Sequence, residues 1–308
     1  MGLFNILQEG DVQIKGYPVR LRLDLLLCFS ANPEDYTARG KIITPLKDRI
    51  GSEIRTHYPR SRQDAMAITE QEAWVTRPSP TDTPASVVVP AFIREIVEEI
   101  AIHARVDQKV DKRSGVSQRL PITTLESVVS NAERRALVQG ESPIVPRVSD
   151  INAALPALTG KIELEYEGEL KGAESVATEL IRQAVATVFD GYAVQADTRP
   201  VITWFERGGT LDLTDTSSAN ELLVAVDPID GLDRVAAIVG SRPHDSEPER
   251  AAVADFVLEG LCALKKISRT DEGKLFGTPP AQHRKPQTAE EFPDDETPVR
   301  GGKKKYYN

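Results

Sequence analysis

The chain has 308 residues, 40% of them hydrophobic, and a formal net charge of −9 at pH 7. Its length allows about two compact units. It has neither the roughly 20 consecutive apolar residues of a membrane span nor a secretory signal, which predicts a cytoplasmic protein without membrane contact. The excess of acidic over basic side chains argues against a general nucleic-acid binder, whose affinity comes from neutralising phosphates. Cys28 and Cys262 have no companions at metal spacing, which predicts buried packing rather than a disulfide framework or a zinc site.

The N-terminal segment predicts a β-hairpin. From Asp11 to Asp24, apolar and polar residues alternate on either side of Gly16-Tyr17-Pro18. This alternation places one set of side chains on an inward face. The inward set is Val12, Ile14, Val19 and Leu21.

The next segment predicts a strand buried on both faces of a parallel sheet, because Leu23 to Phe29 is almost wholly apolar. Parallel strands need neighbouring strands and crossover helices, and residues 1–22 contain neither. We therefore expect Met1 to be a misplaced start or the edge of a gene fragment.

The middle of the chain predicts a small helical subdomain. A short helix at Thr44 to Ile50 leads into a strand at Glu53 to Tyr58, and an amphipathic helix follows from Phe92 to Ala104. A second helix is expected near Pro121, with a capping box formed by Thr123 and Glu126. Its apolar face carries Leu125, Val128, Val129 and Ala132.

From Val148 the pattern changes to that of an α+β extension. Helices are predicted at 174–189 and 249–264, strands at 162–166 and 201–205, and a further apolar run at 222–226. Beyond Ser268 the chain is rich in Pro, Gly, Lys and acidic residues, which predicts a disordered tail.

Three motifs together resemble the magnesium-chelatase (subunit I) and MoxR branch of AAA+ ATPases. They are the run Asn5-Ile6-Leu7-Gln8-Glu9-Gly10-Asp11 with the hairpin after it, Phe29-Ser30-Ala31-Asn32-Pro33, and Leu46-Lys47-Asp48-Arg49-Ile50-Gly51. In that branch a helix, a pre-sensor hairpin, a sensor strand and an arginine-bearing loop follow one another in this order. The resemblance covers residues 1 to about 140 well and the rest loosely. The family's G-x-x-x-x-G-K-[ST] loop and its acidic Mg²⁺-binding strand are missing from this sequence.

The resemblance implies an α/β fold in which the AAA+ core is incomplete. Residues 1–76 would form its C-terminal part, 77–142 a helical lid, 143–267 an α+β extension, and 268–308 a disordered tail. It also implies a ring of like subunits with ATP and Mg²⁺ between protomers, and an unidentified protein partner that is remodelled or loaded with a metal. Without its own phosphate-binding loop, the chain alone is expected not to hydrolyse ATP.

The resemblance assigns catalytic roles to Asn32 and Arg49. Asn32 would be the sensor 1 residue that orients a water against the γ-phosphate, and the alternative is a turn-forming Asn before Pro33. Arg49 would be the arginine finger that reaches a neighbouring subunit's site. The alternative is a surface salt bridge with Asp48 or Glu53, and Arg55 is a lower-ranked candidate for the finger.

Arg119 would be the sensor 2 residue that contacts a nucleotide phosphate, with Arg113 as a weaker rival. Either could instead be a solvated loop cation, since Asp111-Lys112-Arg113 is a mixed charge run. On the hairpin, basic side chains and Tyr17 could meet a polyanion or a substrate polypeptide, or they could simply form a solvated face. The basic residues are Lys15, Arg20 and Arg22.

Two further function classes stay open at this point. The chain could be a non-catalytic interaction module, in which case residues 150–265 should fold and bind alone. A σ54-type transcription activator is disfavoured because residues 271–308 contain no pair of helices for DNA binding. The four histidines share no metal spacing, and no cluster suggests a nucleophile.

Overall fold

The computed structural model describes residues 11–20, 26–30, 48, 50–76, 86–270 and 274–277. Within these ranges the chain is mostly helical, with a small two-stranded and a small three-stranded antiparallel sheet. This agrees with the predicted mixture of helices and strands. The strands are β1 (Asp11–Ile14), β2 (Tyr17–Arg20), β3 (Thr210–Leu211), β4 (Ile267–Arg269) and β5 (Leu275–Gly277). The helices are α1 (Arg62–Glu72), α2 (Ala91–Val106), α3 (Arg119–Gln139), α4 (Val148–Ala153), α5 (Leu155–Thr159), α6 (Tyr166–Lys171), α7 (Ala173–Tyr192), α8 (Arg199–Glu206), α9 (Ala219–Val226), α10 (Leu232–Val239) and α11 (Glu247–Ala263).

One hydrophobic core extends from Val89 to Leu275 and is centred on α11. Phe256 of α11 stacks on Phe92 of α2 with ring centroids 4.3 Å apart, and Phe189 of α7 meets Phe256 edge-on at 5.5 Å. Buried residues lie on both sides of the predicted lid boundary at 142/143 and belong to this single core. The division of lid and extension into separate folding units stays a prediction.

The long helices are where the apolar periodicity predicted them, although α11 is buried on almost every face rather than along one stripe. The structure confirms the predicted helices as α2, α3, α7 and α11, and the predicted apolar face of α3 is buried. The predicted capping box is wrong, because α3 begins two residues before Pro121 and Gln118 precedes it without a side-chain cap. The actual boxes pair Ser218 with Glu221 and Ser246 with Glu249.

The strands predicted in the extension are wrong. Residues 201–205 lie inside α8, which puts Val201 and Phe205 on one face, where both are buried. Residues 162–166 contribute one isolated bridge, between Leu164 and Val110, before α6 begins. The apolar run at 222–226 is part of α9. Short apolar runs fit a strand or a helix equally well, and here packing against the core selects the helix.

The hairpin prediction is confirmed for the residues described. β1 pairs antiparallel with β2, Val12 opposite Val19, and Lys15 and Gly16 form the turn with φ of 52° and 84°. Of the predicted inward face, the two side chains that the structure describes, Ile14 and Val19, are both exposed.

The predicted buried strand at 23–29 is wrong where the structure describes it. Residues 26–30 carry no strand, and Leu26 is 91% exposed. A strand buried on both faces needs a covering layer on each side, and no described residue covers Leu26. Cys28 is exposed rather than buried, whereas Cys262 lies half-buried in α11.

Two other segments also differ from the sequence interpretation. Residues 53–58 are irregular and exposed rather than a strand. β4 and β5 lie in or next to the segment predicted to be disordered, and they pair with each other and with β3. The helix predicted at 44–50 falls almost wholly outside the described residues.

Candidate functional site

The three residues predicted to carry chemistry are not brought together by the described part of the structure. Asn32 and Arg49 lie outside the described residues. Arg119 is the first residue of α3 and is exposed. Arg119 is therefore the one predicted site residue whose surroundings the structure describes.

A cleft of about 410 Å³ lies beside the start of α3. The segment 57–60, α1 and Gln118 form its walls. Gln118 immediately precedes Arg119, so the cleft and the predicted sensor arginine are neighbours along the chain. The lining residues are His57, Tyr58, Pro59, Arg60, Asp64, Ile68 and Gln118.

Gln118 connects the cleft to a buried carboxylate. Its side-chain amide donates to both oxygens of Glu98 on α2, at 3.2 and 3.0 Å. The hydroxyl of Thr69 on α1 donates to the same carboxylate. Glu98 is fully buried, so it holds Gln118 in place and cannot itself reach a ligand in the cleft.

Arg105 supplies the positive charge of this cluster. Its guanidinium donates to the side-chain oxygen of Gln118 at 3.0 Å and to the Val116 carbonyl at 3.1 Å. It also lies 4.3 Å from the centre of the Tyr58 ring, within the range of a cation–π contact. The Tyr58 hydroxyl accepts from the Val116 amide at 3.0 Å, which fixes the cleft wall to the loop before α3.

The electrostatics of the cluster are those of partly desolvated charges. Burial raises the pKa of Glu98, while its hydrogen bonds to Thr69 and Gln118 and the charge of Arg105 act in the opposite direction. Burial likewise lowers the pKa of Arg105. The charge of Arg105 thus favours the ionised form of Glu98, with Gln118 hydrogen-bonded to both groups.

Arg119 differs from these residues because its guanidinium makes no hydrogen bond or ion pair with any described residue. The backbone at this helix start offers no free donor beside it, because the Arg119 amide donates to the Ser117 hydroxyl at 3.3 Å, the Leu120 amide donates to the Ser117 carbonyl at 3.1 Å, and Pro121 has no N–H. The rival Arg113 donates its backbone amide to Asp111 at 2.8 Å and its side chain lies 3.6 Å from that carboxylate. The arrangement at Arg119 can attract an anionic group without breaking an internal contact.

A comparison with known proteins does not name a family. The chain matches no protein-family model, no curated protein and no solved structure. The resemblance to AAA+ ATPases therefore rests on the sequence motifs alone.

Two further properties were tested over the described residues. None of their helices combines the length and apolar character that a membrane crossing requires. In that same part of the chain, no group of three or more His, Cys, Asp or Glu side chains is arranged to hold a metal ion. His103 contacts Thr187 at 3.1 Å and lies 3.6 Å from Glu99.

Sequence reasoning missed a buried ionic network between α3, α4 and α11. Arg135 donates to Asp150 and to the Val145 carbonyl, and the backbone amide of Arg147 donates to Asp150 at 2.7 Å. Asp255 of α11 accepts from the Ser149 amide at 3.1 Å. A signal was present in the sequence, since Arg135 follows Ala132 on the apolar face of α3, where a charge needs a partner.

The network also reaches a second, more polar cleft of about 440 Å³. Arg147 donates to the carbonyl of Ser217, which lines this cleft, at 2.8 Å and lies 3.3 Å from Glu141. Burial lowers the pKa of Arg147, and the charge of Arg135 adds to this effect. These contacts join the loop before α9 to α3, so the network serves to hold the helices together.

Proposed function

We propose that the chain is the C-terminal portion of a magnesium-chelatase-type AAA+ ATPase that acts in a cytoplasmic ring of like subunits. In this proposal the lid contributes Arg119 to a nucleotide phosphate, while Asn32 and Arg49 act as sensor 1 and arginine finger. The energy of hydrolysis would remodel a protein partner or insert a metal. The incomplete AAA+ core at residues 1–76 belongs to this proposal.

The observation that supports the proposal best is the position of Arg119. It is an exposed guanidinium without an internal partner among the described residues, in the first turn of a long helix and next to a cleft. A phosphate could bind there to the free guanidinium. The neighbouring Arg113 forms an ion pair with Asp111, which favours Arg119 as the sensor.

The residues of this chain do not fit a complete ATP and Mg²⁺ site. The sequence has no G-x-x-x-x-G-K-[ST] loop, and the described residues offer no cluster of acidic ligands. A sensor arginine contributes to phosphate binding but does not replace that loop. The proposal therefore requires a phosphate-binding loop that these 308 residues do not contain.

The test is nucleotide binding by the full chain. We expect weak binding of MgATP and of inorganic tripolyphosphate, with an affinity about tenfold lower in Arg119→Ala, which corresponds to about 1.4 kcal/mol. Arg113→Ala is the matched control and should bind like the wild type. Equal affinities in Arg119→Ala and wild type would reject the role of Arg119. MgATP turnover by the chain alone would contradict the expectation that it cannot hydrolyse ATP without its own phosphate-binding loop.

A second candidate is a non-catalytic interaction module. It is favoured by exposed apolar side chains such as Tyr166 and Leu170 of α6, each 72% exposed, which can present a binding surface without nucleotide. The absence of any nucleotide binding in the same titrations would support this candidate over the first.

A further inference from the structure

Helix α6 exposes its large apolar side chains, whereas an ordinary surface helix buries them. Tyr166 and Leu170, one turn apart on one face, are each 72% exposed. Gly168, on the opposite face, is buried against the loop after α2. A surface helix usually turns its apolar stripe toward the core, so an outward stripe of a large aromatic and a large aliphatic side chain indicates a binding surface.

The orientation of α6 is fixed by backbone contacts. The Glu165 amide donates to the Lys109 carbonyl, and the Asp111 amide donates to the Glu163 carbonyl, both at 2.9 Å. A Cβ at position 168 would lie 2.4 Å from the Lys109 carbonyl oxygen, so glycine permits this close approach. The helix therefore cannot rotate to bury Tyr166 and Leu170 without breaking these contacts. It is organised for binding before any partner arrives.

The exposed pair is surrounded by negative charge. The segment 163–170 contains four glutamates and no basic residue. Glu165, Glu167 and Glu169 are exposed, and their side-chain carboxylates form no hydrogen bond or ion pair within the described part of the chain. Lys109 and Lys171 both pair with Glu179 of α7, so their charges are not free to neutralise these glutamates. Lys161, two residues before Glu163, is exposed, and the four glutamates still leave this segment with an excess of negative charge.

We propose that the outer face of α6 binds a basic segment of a partner protein, with one or more apolar side chains flanked by lysine or arginine. An apolar side chain would cover Tyr166 and Leu170. The flanking cations would pair with the glutamates. Without these cations, the glutamates would lose contact with water on binding and gain no compensating interaction. The same charges repel nucleic-acid phosphates and anionic lipid surfaces, which excludes these as occupants. The surface requires neither ATP nor Arg119, so it can be tested separately from the proposed ATPase.

The test uses the full chain and a fluorescein-labelled peptide of leucine and lysine, with the leucines at helical spacing. We expect saturable binding by fluorescence anisotropy that weakens as salt screens the charges. The double variant Tyr166→Ser with Leu170→Ser should lower the affinity about tenfold. Leu137→Ser removes an 80% exposed leucine from α3 and should leave binding unchanged, so it is the matched control.

Four outcomes would overturn the proposal. The first is equal binding by the double variant and by Leu137→Ser. The second is equal binding of a peptide in which glutamate replaces lysine. The third is tighter peptide binding when Lys303, Lys304 and Lys305 are changed to Glu, which would make the chain's own C-terminus the occupant. The fourth is self-association, measured by sedimentation, that the double variant abolishes, which would make a second copy the occupant.

Discussion

Arg135 of α3 donates from one guanidinium nitrogen to both carboxylate oxygens of Asp150 on α4, at 2.6 Å each. Side-chain exposure is 2% for Arg135 and 0% for Asp150. Removing a charge from water costs several kcal/mol, so each of these groups needs the other as its compensating partner. The pair joins the last helix of the predicted lid to the first helix of the predicted extension, which explains why the two share one core.

The first prediction concerns this pair. Asp150→Asn leaves the buried Arg135 charge with only the more distant Glu141 carboxylate, 3.7 Å away, and should lower the free energy of unfolding by about 3 kcal/mol. Asp190→Asn, at an exposed position in α7, is the control and should change it by about 0.5 kcal/mol or less. Urea unfolding followed by circular dichroism measures both values. Similar midpoints and slopes for the two variants would contradict the assigned role of the pair.

The second prediction concerns pH. Burial, with the charge of Asp255 in second place, raises the pKa of Glu259 from 4.5 to about 7. The folded state binds this proton more tightly than the unfolded chain does. The stabilisation that protonated Glu259 provides is therefore complete below about pH 4.5 and is lost as the pH rises through about 7. The charge of Arg269 and its hydrogen bond to Glu259 act against this rise in pKa, and the charge of Asp215 adds to it.

In Glu259→Gln, the free energy of unfolding should therefore decrease less between pH 4.5 and 7 than it does in the wild type. Part of the dependence will remain, because burial also raises the pKa of Asp255. Glu247→Gln, at an exposed position on the same helix, should leave the dependence unchanged. Denaturant unfolding at fixed ionic strength across this range is the measurement, and an unaltered slope in Glu259→Gln would refute the assignment.

The third prediction concerns the close contact between α11 and α7. A Cβ at position 260 would lie 2.1 Å from Cγ of Phe189, so Gly260→Ala must displace that ring from the core. We expect a loss of about 1–3 kcal/mol in the free energy of unfolding. Gly191→Ala, where nothing lies within 4 Å of the added atom, should be neutral or stabilising. Thermal unfolding of the two variants side by side tests the contact, and equal melting temperatures would disprove it.

The fourth prediction distinguishes the structural role of Gln118 in the cleft wall from the proposed ligand-binding role of Arg119. Gln118→Ala removes hydrogen bonds from buried Glu98 and from Arg105, and should lower the free energy of unfolding by about 1–3 kcal/mol. Arg119→Ala, one residue later, removes an exposed side chain and should change it by about 0.5 kcal/mol or less. Chemical denaturation of both variants distinguishes the two roles. A larger loss in Arg119→Ala than in Gln118→Ala would reverse the assignment.

Sequence periodicity was a sufficient guide to the long helices. α2, α3 and α7 each carry apolar residues at helical spacing over several turns and bury the side chains that this spacing selects, whereas α11 is buried on almost every face. The hairpin at 11–20 was also predictable, because alternation and a glycine turn are local features. Local patterns of this length leave little choice of structure.

Short apolar runs did not determine their own structure. Val201 and Phe205 are one helical turn apart, and as part of α8 both reach the core, whereas the same letters fit a strand equally well. At Leu26 an apolar run predicted burial, but burial requires covering layers that the described residues do not provide. In both cases packing partners far along the chain decide the outcome.

For the candidate site, the sequence by itself placed Arg119 before the second lid helix and identified it as a phosphate contact by resemblance. Only the tertiary structure showed that Arg113 is paired with Asp111, that Gln118 lies over buried Glu98, and that α6 turns its apolar side chains outward. The physical reason is that periodicity depends on neighbours within one element. The environment of a charge, and the direction in which a short helix faces, depend on contacts between elements distant in sequence.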